Sequence, residues 1–348
     1  MAYSRAGWAL LASVLLAVPA SAKTLTVVVP DSFALSKALV AKFERQQGVT
    51  LRFLKAGSAG AMVNRLILTR RHPLGDLVYG IDNTLIGKAV RYHLLARYRT
   101  PGTPELPPEL QLLPTGYLTP INLSTVAITD DPSYFRKHHL PLPTQLSQLV
   151  RERYRGLLVM ENPATSSTGR AFLLATVAHF GKSVWSFWQR LRENGLKVVN
   201  GWEAAYYTDF SKYGGSQPLV VSYLTDPAAE VYFAKTKLRA SPVSNLLLPG
   251  STFVQVEGAG LLRGGHHRQA AEAFLRFLLS RAAQSSIPTS MWVLPVVPGT
   301  TLNPVFRFDS KAPKPDQASS LQIAAHVQRW VHDWTAVVIE GEPASQVR

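Results

Sequence analysis

The chain has 348 residues, of which 46% are hydrophobic and 17% charged, a composition typical of a globular protein with a large core. Its 37 Lys and Arg residues against 22 Asp and Glu give a formal charge of +15. The sequence contains no cysteine, which excludes disulfides, thiolate metal sites and a lipidated N-terminal cysteine.

The first 22 residues have the pattern of a secretory signal peptide. Arg5 precedes an apolar run from Trp8 to Val18, and Ala20-Ser21-Ala22 supplies the small residues of a cleavage site. The apolar run is shorter than the ~20 residues that a membrane-spanning helix needs. We therefore predict cleavage after Ala22 and a periplasmic location for the mature protein.

The residues that follow alternate between predicted strands and helices. Strands are predicted at 23–30, 49–55 and 76–80, and helices at 33–47, through 62–67 and from Asp82. Short turns between such elements are typical of a parallel, doubly wound α/β sheet.

A second series of elements follows a proline-rich segment at 101–120 and a long predicted strand at 121–129. It contains predicted strands at 156–161, 197–200 and 219–225, and predicted helices at 168–180 and 184–193. A strand at 251–258 and an amphipathic helix at 267–279 then lead the chain back to the first series.

These elements predict an α/β protein of two lobes, each with a doubly wound sheet, joined by crossing hinge strands. Lobe 1 comprises 23–119 plus 251–310, lobe 2 comprises 120–250, and 311–348 form a C-terminal helical segment and tail. Ligands of such proteins bind between the carboxyl ends of the strands, and the lobes close around them by a hinge motion. The sequence therefore predicts a two-lobed binding protein.

The basic residues are spread along the whole chain and are not gathered in one segment. The sequence has no run of five basic residues and no nucleic-acid-binding motif. We interpret the charge as a solvated basic surface and predict no nucleic-acid partner.

Four segments at the ends of predicted strands supply candidate ligand-binding residues. The hydroxyls and free backbone N–H groups of 165–169 precede a helix, where they are suited to an anion, although a simple helix cap explains them equally well. Gly201-Trp202 ends one predicted strand, and 222–226 end another. Trp292 lies in the segment 287–295, which we predict to be a loop bracketed by prolines.

Seven motifs resemble, in order along the chain, those of the periplasmic thiamine-binding proteins of thiamine ABC importers. They are Asp31-Ser32-Phe33, Asn64-Arg65-Leu66, Gly80-Ile81-Asp82-Asn83, Thr165-Ser166-Ser167, Gly201-Trp202-Glu203-Ala204-Ala205-Tyr206, Val221-Ser222-Tyr223 with Asp226-Pro227, and Ile287-Pro288-Thr289 with Trp292 and Pro295. The resemblance implies a type II periplasmic binding protein fold. It also implies a monomer that carries thiamine, or its mono- or diphosphate, to membrane permease and ATPase subunits and has no bound cofactor.

The resemblance also implies which residues bind the ligand. They would provide aromatic walls, hydroxyls at the tail of the ligand and a turn facing its aminopyrimidine. The walls are Trp202, Tyr223 and Trp292, the hydroxyls are those of Ser166 and Ser167, and the turn lies at Ser58 and Ala59. Leu224, Thr225 and Asp226, at the same strand end as Tyr223, complete the predicted site.

Two positions depart from the family pattern. The family has an acidic residue in the turn where this chain has Gly57-Ser58-Ala59, and a tyrosine where it has Pro30. Asp226, Asp82 or Glu257 could supply the missing negative charge. Helix capping explains the first two equally well, and strand pairing explains the third.

Two other classes of function remain as alternatives. Tyr206-Tyr207 resembles the paired tyrosines of periplasmic iron(III)-binding proteins of the same fold, although iron gives the tryptophans no role. A polyamine-binding protein would need more acidic residues in the cleft. The sequence has no G-x-S-x-G or H-E-x-x-H motif, so we predict neither an enzyme nor catalytic or metal-binding residues.

Overall fold

The computed structural model describes residues 23–311 and 320–347, so the predicted signal peptide at 1–22 lies outside the described residues. The strands are β1 (Lys23–Val29), β2 (Val49–Lys55), β3 (Leu77–Asp82), β4 (Thr119–Asp130), β5 (Leu158–Glu161), β6 (Lys197–Val199), β7 (Leu219–Tyr223), β8 (Ser244–Leu246), β9 (Phe253–Leu261) and β10 (Leu294–Pro295). The α-helices are α1 (Lys37–Gln47), α2 (Ala59–Leu68), α3 (Ile86–Arg91), α4 (Pro132–Lys137), α5 (Ser167–Phe180), α6 (Val184–Glu193), α7 (Trp202–Ala204), α8 (Asp226–Tyr232), α9 (Arg268–Leu278), α10 (Arg281–Met291) and α11 (Ser320–Trp334). Among these described helices, none has the length and apolar content to cross a membrane.

The strands form one continuous sheet in the order β2-β1-β3-β9-β4-β7-β5-β6, and β8 and β10 pair with β4. β1 runs parallel to β2 and β3, and β5 runs parallel to β6 and β7. The long strands β4 and β9 lie between these two sets and are antiparallel to each other and to their neighbours. The predicted architecture of two parallel sheets joined by crossing strands is therefore confirmed, with the two sheets hydrogen-bonded into one.

The first strand set is covered by helices on both faces. Alternate residues of β1 point to opposite sides, so Val27 lies in a core with Phe43 and Phe274, and Val28 in a core with Met62. A near-continuous run of buried β-branched residues is typical of a parallel strand that is covered on both faces. This is the doubly wound arrangement predicted from the sequence.

The second strand set is covered in the same way. Met160 of β5 faces the core formed with α5, α6 and α11, whereas Val159 faces the opposite core. The rings of Trp188 and Trp334 meet edge to face there, 5.8 Å apart, so the described part of the predicted C-terminal segment packs on this set. The predicted lobe boundaries at 119/120 and 250/251 lie at the start of β4 and just before β9, and they stay a prediction.

Three predicted elements were wrong in detail. The helix predicted from Asp82 begins at Ile86, because Asp82 is the last residue of β3 and its carboxylate accepts from the backbone of the turn that follows. The helix predicted from residue 33 begins at Lys37, because Ser36 caps it and the Phe33 ring packs against Phe53 and Tyr79. The segment predicted as a loop at 287–295 instead continues α10 through Pro288 to Met291. The side chain of buried Gln284 donates to a backbone carbonyl of β4 and accepts from the backbone beyond the helix, which holds α10 in place.

Candidate functional site

The carboxyl ends of the parallel strands of both sets meet at one cleft. Residues just beyond β1, β2, β5 and β6, together with Tyr223 at the end of β7, line a cavity of about 570 Å³. An adjoining cavity of about 340 Å³ shares Asp31, Trp202, Tyr223 and Glu257 with it. Because the switch between strand sets leaves a crevice at this edge, it is the expected place for a ligand. We call the first cavity the hydroxyl compartment and the second the aromatic compartment.

The N-terminus of α5 forms one wall of the hydroxyl compartment. Ser166 is its N-cap residue, and the hydroxyls of Ser166 and Thr168 lie 2.8 Å apart. Ser167 is only 5% exposed, and its hydroxyl has no hydrogen-bond partner among the described residues. Helix N-termini carry partial positive charge and free N–H groups, so this wall favours an anionic or hydroxyl group.

The N-terminus of α2 forms the facing wall. Ser58 is the N-cap residue, and its side chain makes no capping bond within the described chain. The preceding Gly57 has a left-handed backbone with φ of 92°, which glycine adopts without strain. Ser58 and Ala59 thus place a second helix N-terminus at the same compartment.

One wall of the aromatic compartment is fixed by hydrogen bonds. The Trp202 ring stacks on Tyr206 with centroids 5.1 Å apart, and its Nε1 donates to Ser222 Oγ at 2.8 Å. The hydroxyls of Tyr206 and Tyr213 both donate to Glu230 Oε1, at 2.9 and 2.5 Å. The Trp202 ring is therefore held in place before any ligand arrives.

Trp292 forms another part of this compartment, just after α10. Its backbone is left-handed, with φ of 57°, which is unfavourable for a residue other than glycine. Thr225 Oγ1 donates to its carbonyl oxygen at 2.5 Å, and Tyr232 and Phe233 pack on its ring at 5.1 and 5.4 Å. These contacts stabilise the unusual backbone and orient the indole toward the cleft.

Buried carboxylates surround Tyr223 at the junction of the two compartments. Burial raises the pKa of this tyrosine, and the charges of Glu257, Glu161, Asp82 and Asp226 raise it further. Burial also raises the pKa of Asp226 and of Glu257 to about 7. Carboxylates out of water are costly when ionised, so a cation in this cleft would be favoured.

The structure brings most of the predicted residues to the cleft. Ser58, Ala59, Ser166 and Ser167 line the hydroxyl compartment, Asp226 and Trp292 line the aromatic compartment, and Trp202 and Tyr223 line both.

Leu224 and Thr225 differ from the prediction, because they are buried and line neither compartment. The chain turns inward after β7 to begin α8, so the backbone N–H of Leu224 donates to the carbonyl of Thr125. The hydroxyl of Thr225 is likewise used to hold Trp292. These two residues support the site from behind.

Several lining residues were not predicted. Asn200 directly follows β6 and Asp31 lies two residues beyond β1, and this position is the signal that could have revealed them. Tyr213 and Phe233 reach the cleft from elsewhere in the sequence, and no local pattern marks them.

Comparison with known proteins places this fold and cleft in a family. Residues 72–323 match the family described as bacterial extracellular solute-binding protein. The chain belongs to this family. Members of this family bind solutes and are not enzymes.

Two proteins named for thiamine are similar to this solute-binding protein. A thiamine-binding periplasmic protein of Salmonella typhimurium is 28% identical over 333 residues, which cover 93% of this chain and 96% of the relative. A solved structure of a periplasmic thiamin binding protein superposes with a TM-score of 0.77 at 25% identity, covering 91% of this chain and 96% of the other. Both likenesses extend over nearly the whole chain.

Iron-binding proteins share the fold at greater distance. The iron-bound HitA of Pseudomonas aeruginosa superposes with a TM-score of 0.68 at 20% identity, covering 90% of this chain and 99% of the other, which shows the fold alone. Within the described residues of this solute-binding protein, no group of three or more His, Cys, Asp or Glu is placed to hold a metal ion. Tyr206, one of the paired tyrosines, donates its hydroxyl to Glu230.

Proposed function

We propose that this protein captures thiamine, including its mono- and diphosphate, in the periplasm and delivers it to an ABC importer. The observation that carries the proposal is the junction of an aromatic, acidic compartment with a compartment of hydroxyls and helix N-termini in a single cleft. The likeness to the thiamine-binding periplasmic protein of Salmonella typhimurium, over 93% of the chain, supports the same ligand.

The chemistry of thiamine matches the two compartments. Thiamine joins an aminopyrimidine to a permanently cationic thiazolium that bears a hydroxyethyl or phosphate tail. Each ring of Trp202, Tyr223 or Trp292 that stacks on the cation would contribute ~0.5–2 kcal/mol. The hydroxyls of Ser166 and Ser167 and the α5 N-terminus would receive the tail.

The affinity that a scavenging protein needs requires several of these contacts together. Nanomolar binding corresponds to about −12 kcal/mol, and association itself costs several kcal/mol. One stacked ring is therefore not enough, and closure of the two lobes around the ligand must add to it.

The location and the partners follow from the same proposal. The predicted signal peptide and the periplasmic relatives support a periplasmic protein. We propose a monomer that docks on the permease of an importer driven by an ATPase, with no cofactor of its own.

Calorimetry and native mass spectrometry of the purified mature chain test the proposal. We expect one bound molecule of thiamine, thiamine monophosphate or thiamine diphosphate per chain, with no conversion of the phosphates. Iron(III) citrate and spermidine serve as comparison ligands. Tight binding of either one, with none of the three thiamine compounds bound, would overturn the proposal.

A further inference from the structure

A cationic ligand held in a buried cleft needs a negative partner, and four buried carboxylates are close to Tyr223. Glu161, Asp82, Asp226 and Glu257 each act on that tyrosine, and Glu161, at the end of β5, lines neither compartment. They differ in how many hydrogen bonds the protein already makes to them. A carboxylate whose lone pairs are occupied by protein donors has little left for a ligand.

Asp82 is fully buried and lines neither compartment. Its Oδ1 accepts from the backbone N–H groups of Thr84 and Leu85 and from the Thr84 hydroxyl, at 2.8, 3.1 and 2.6 Å. Its Oδ2 accepts from Gln255 Nε2 at 2.9 Å. This carboxylate therefore shapes the turn after β3.

Asp226 is also largely used by the protein. Its Oδ2 accepts from Thr129 Oγ1 at 2.5 Å and from the backbone N–H of Tyr223 at 3.3 Å. It is 5% exposed and reaches only the aromatic compartment. Asp226 is also the first residue of α8, so it contributes to the start of that helix.

Glu257 lies in β9 and lines both compartments. Asn122 Nδ2 donates to its Oε2 at 3.0 Å, and this is the one protein hydrogen bond found to its carboxylate in the described chain. Of the four carboxylates, Glu257 is thus the one that both faces the ligand space and retains free acceptor capacity.

Two further acids, Asp31 and Glu203, line both compartments nearer to the solvent. Asp31 accepts from the backbone N–H of Gly57 at 3.1 Å and so holds the turn before α2. Glu203 is exposed. A charge in water interacts far more weakly than one at the floor of a cleft, so neither replaces Glu257.

The sheet is irregular on both sides of Glu257, in its pairing with β3 and in its pairing with β4. The register of β3 with β9 shifts between Tyr79 and Ile81, and that of β4 with β9 shifts between Pro120 and Asn122. Both shifts lie beside Glu257 and the next residue, Gly258. A bulge bends the strand that carries it, so β3 and β4 bend on either side of Glu257.

We infer that Glu257 is the counter-ion of the bound cation, and that the site therefore selects a cationic heterocycle over a neutral one of the same shape. This inference rests on the proposed function and names the residue that makes the site prefer a cationic ligand.

A proton should leave Glu257 when the cation binds. Burial raises the pKa of Glu257 to about 7, the hydrogen bond from Asn122 lowers it, and repulsion by Asp82 raises it. An adjacent cation favours the ionised form, so affinity should rise with pH through about pH 7. The groups that face Glu257 are Tyr79 and Asp82 from β3, Asn122 from β4, Tyr223 from β7, and Asp31 and Glu203 across the cleft.

The test compares Glu257→Gln with Glu152→Gln, which removes the same formal charge from an exposed position outside the cleft. Each variant is titrated calorimetrically with thiamine and with its neutral thiophene analogue, in which carbon replaces the charged ring nitrogen. We expect Glu257→Gln to weaken thiamine about 10- to 100-fold and the neutral analogue less than about threefold. Glu152→Gln should change both by less than about threefold, and Glu257→Asp should restore part of the loss.

The wild-type protein gives a second test that needs no variant. Thiamine titrations in buffers of different ionisation enthalpy should show a proton released near pH 7, and the neutral analogue should show none. Equal affinities of wild-type protein for thiamine and its neutral analogue would overturn the inference and leave the proposed function standing. Binding of neither thiamine nor its phosphates would overturn both.

Discussion

The backbone N–H of Ala61 donates a 3.0 Å hydrogen bond to the carbonyl oxygen of Thr165. Ala61 belongs to α2 of the first strand set, and Thr165 precedes α5 of the second, so the bond crosses the cleft. Gly60 lies so close that a Cβ there would be 2.7 Å from the Thr165 carbonyl. This contact closes one side of the hydroxyl compartment and can form only when the two sets are close together.

Replacing Gly60 by valine should therefore block closure without weakening the fold. A Cβ cannot fit against a rigid backbone carbonyl, and the lobes can relieve the clash only by staying apart. We expect the affinity for thiamine to fall about tenfold or more. Small-angle scattering should show the wild-type protein contracting with ligand and the variant remaining expanded.

Gly87→Ala in α3 is the matched control, because among the described atoms none lies within 4 Å of its added Cβ. The control should bind and contract like the wild type. If Gly60→Val also contracted fully on binding, the contact between Ala61 and Thr165 would have no role in closure.

The hydroxyls at the start of α5 should distinguish phosphorylated from free thiamine. Replacing Ser166 and Ser167 together by alanine removes two hydroxyls from the hydroxyl compartment and leaves the helix N-terminus. We expect thiamine diphosphate to lose about 1–3 kcal/mol of binding free energy, and thiamine less, since charge-assisted hydrogen bonds are the stronger ones. Calorimetry with both ligands measures this, with the exposed Ser147→Ala as control. Equal losses for the two ligands would mean that these serines do not bind the tail of the ligand.

How far the sequence could predict this site depends on how local each signal is. The α5 N-terminus and Trp202 follow strand ends and Tyr223 is the last residue of β7, so the parallel-sheet pattern alone places them at one edge. Phe233 reaches the cleft through packing on Trp292, a relation between distant residues that no periodicity encodes. The preference for Glu257 over the alternatives likewise depended on counting donors, which only coordinates reveal.

The rings of Trp202 and Trp292 should contribute more to the binding of a cationic ligand than to that of a neutral one. Changing either residue to alanine should cost about 1–3 kcal/mol of thiamine binding, through lost cation–π attraction and lost apolar burial. Phenylalanine should retain part of this, because it keeps a ring face. The neutral thiophene analogue should lose less than thiamine in both alanine variants, as calorimetry would show. If an indole served only packing, its replacement by alanine would lower the melting temperature and would change the binding of the two ligands equally.

Glu161, the last residue of β5, should make the fold less stable as the pH rises. It is fully buried beneath the start of α5. Neither of its carboxylate oxygens accepts a hydrogen bond of normal distance and angle from the described residues. Burial raises its pKa from 4.5 to about 8. The unfolded chain releases this proton at lower pH than the folded protein does. The contribution of protonated Glu161 to the free energy of unfolding is therefore fully present below the unfolded pKa and is lost as the pH rises toward about 8.

Glu161→Gln keeps the neutral form at every pH and should flatten this dependence. Between about pH 5 and about pH 9, we expect the wild-type free energy of unfolding to decline by roughly 1–3 kcal/mol more than that of the variant. Denaturant titrations at both pH values measure the difference, and Glu193→Gln on the half-exposed end of α6 controls for a general effect of charge. Parallel pH profiles for wild type and Glu161→Gln would mean that this carboxyl is already ionised in the folded protein.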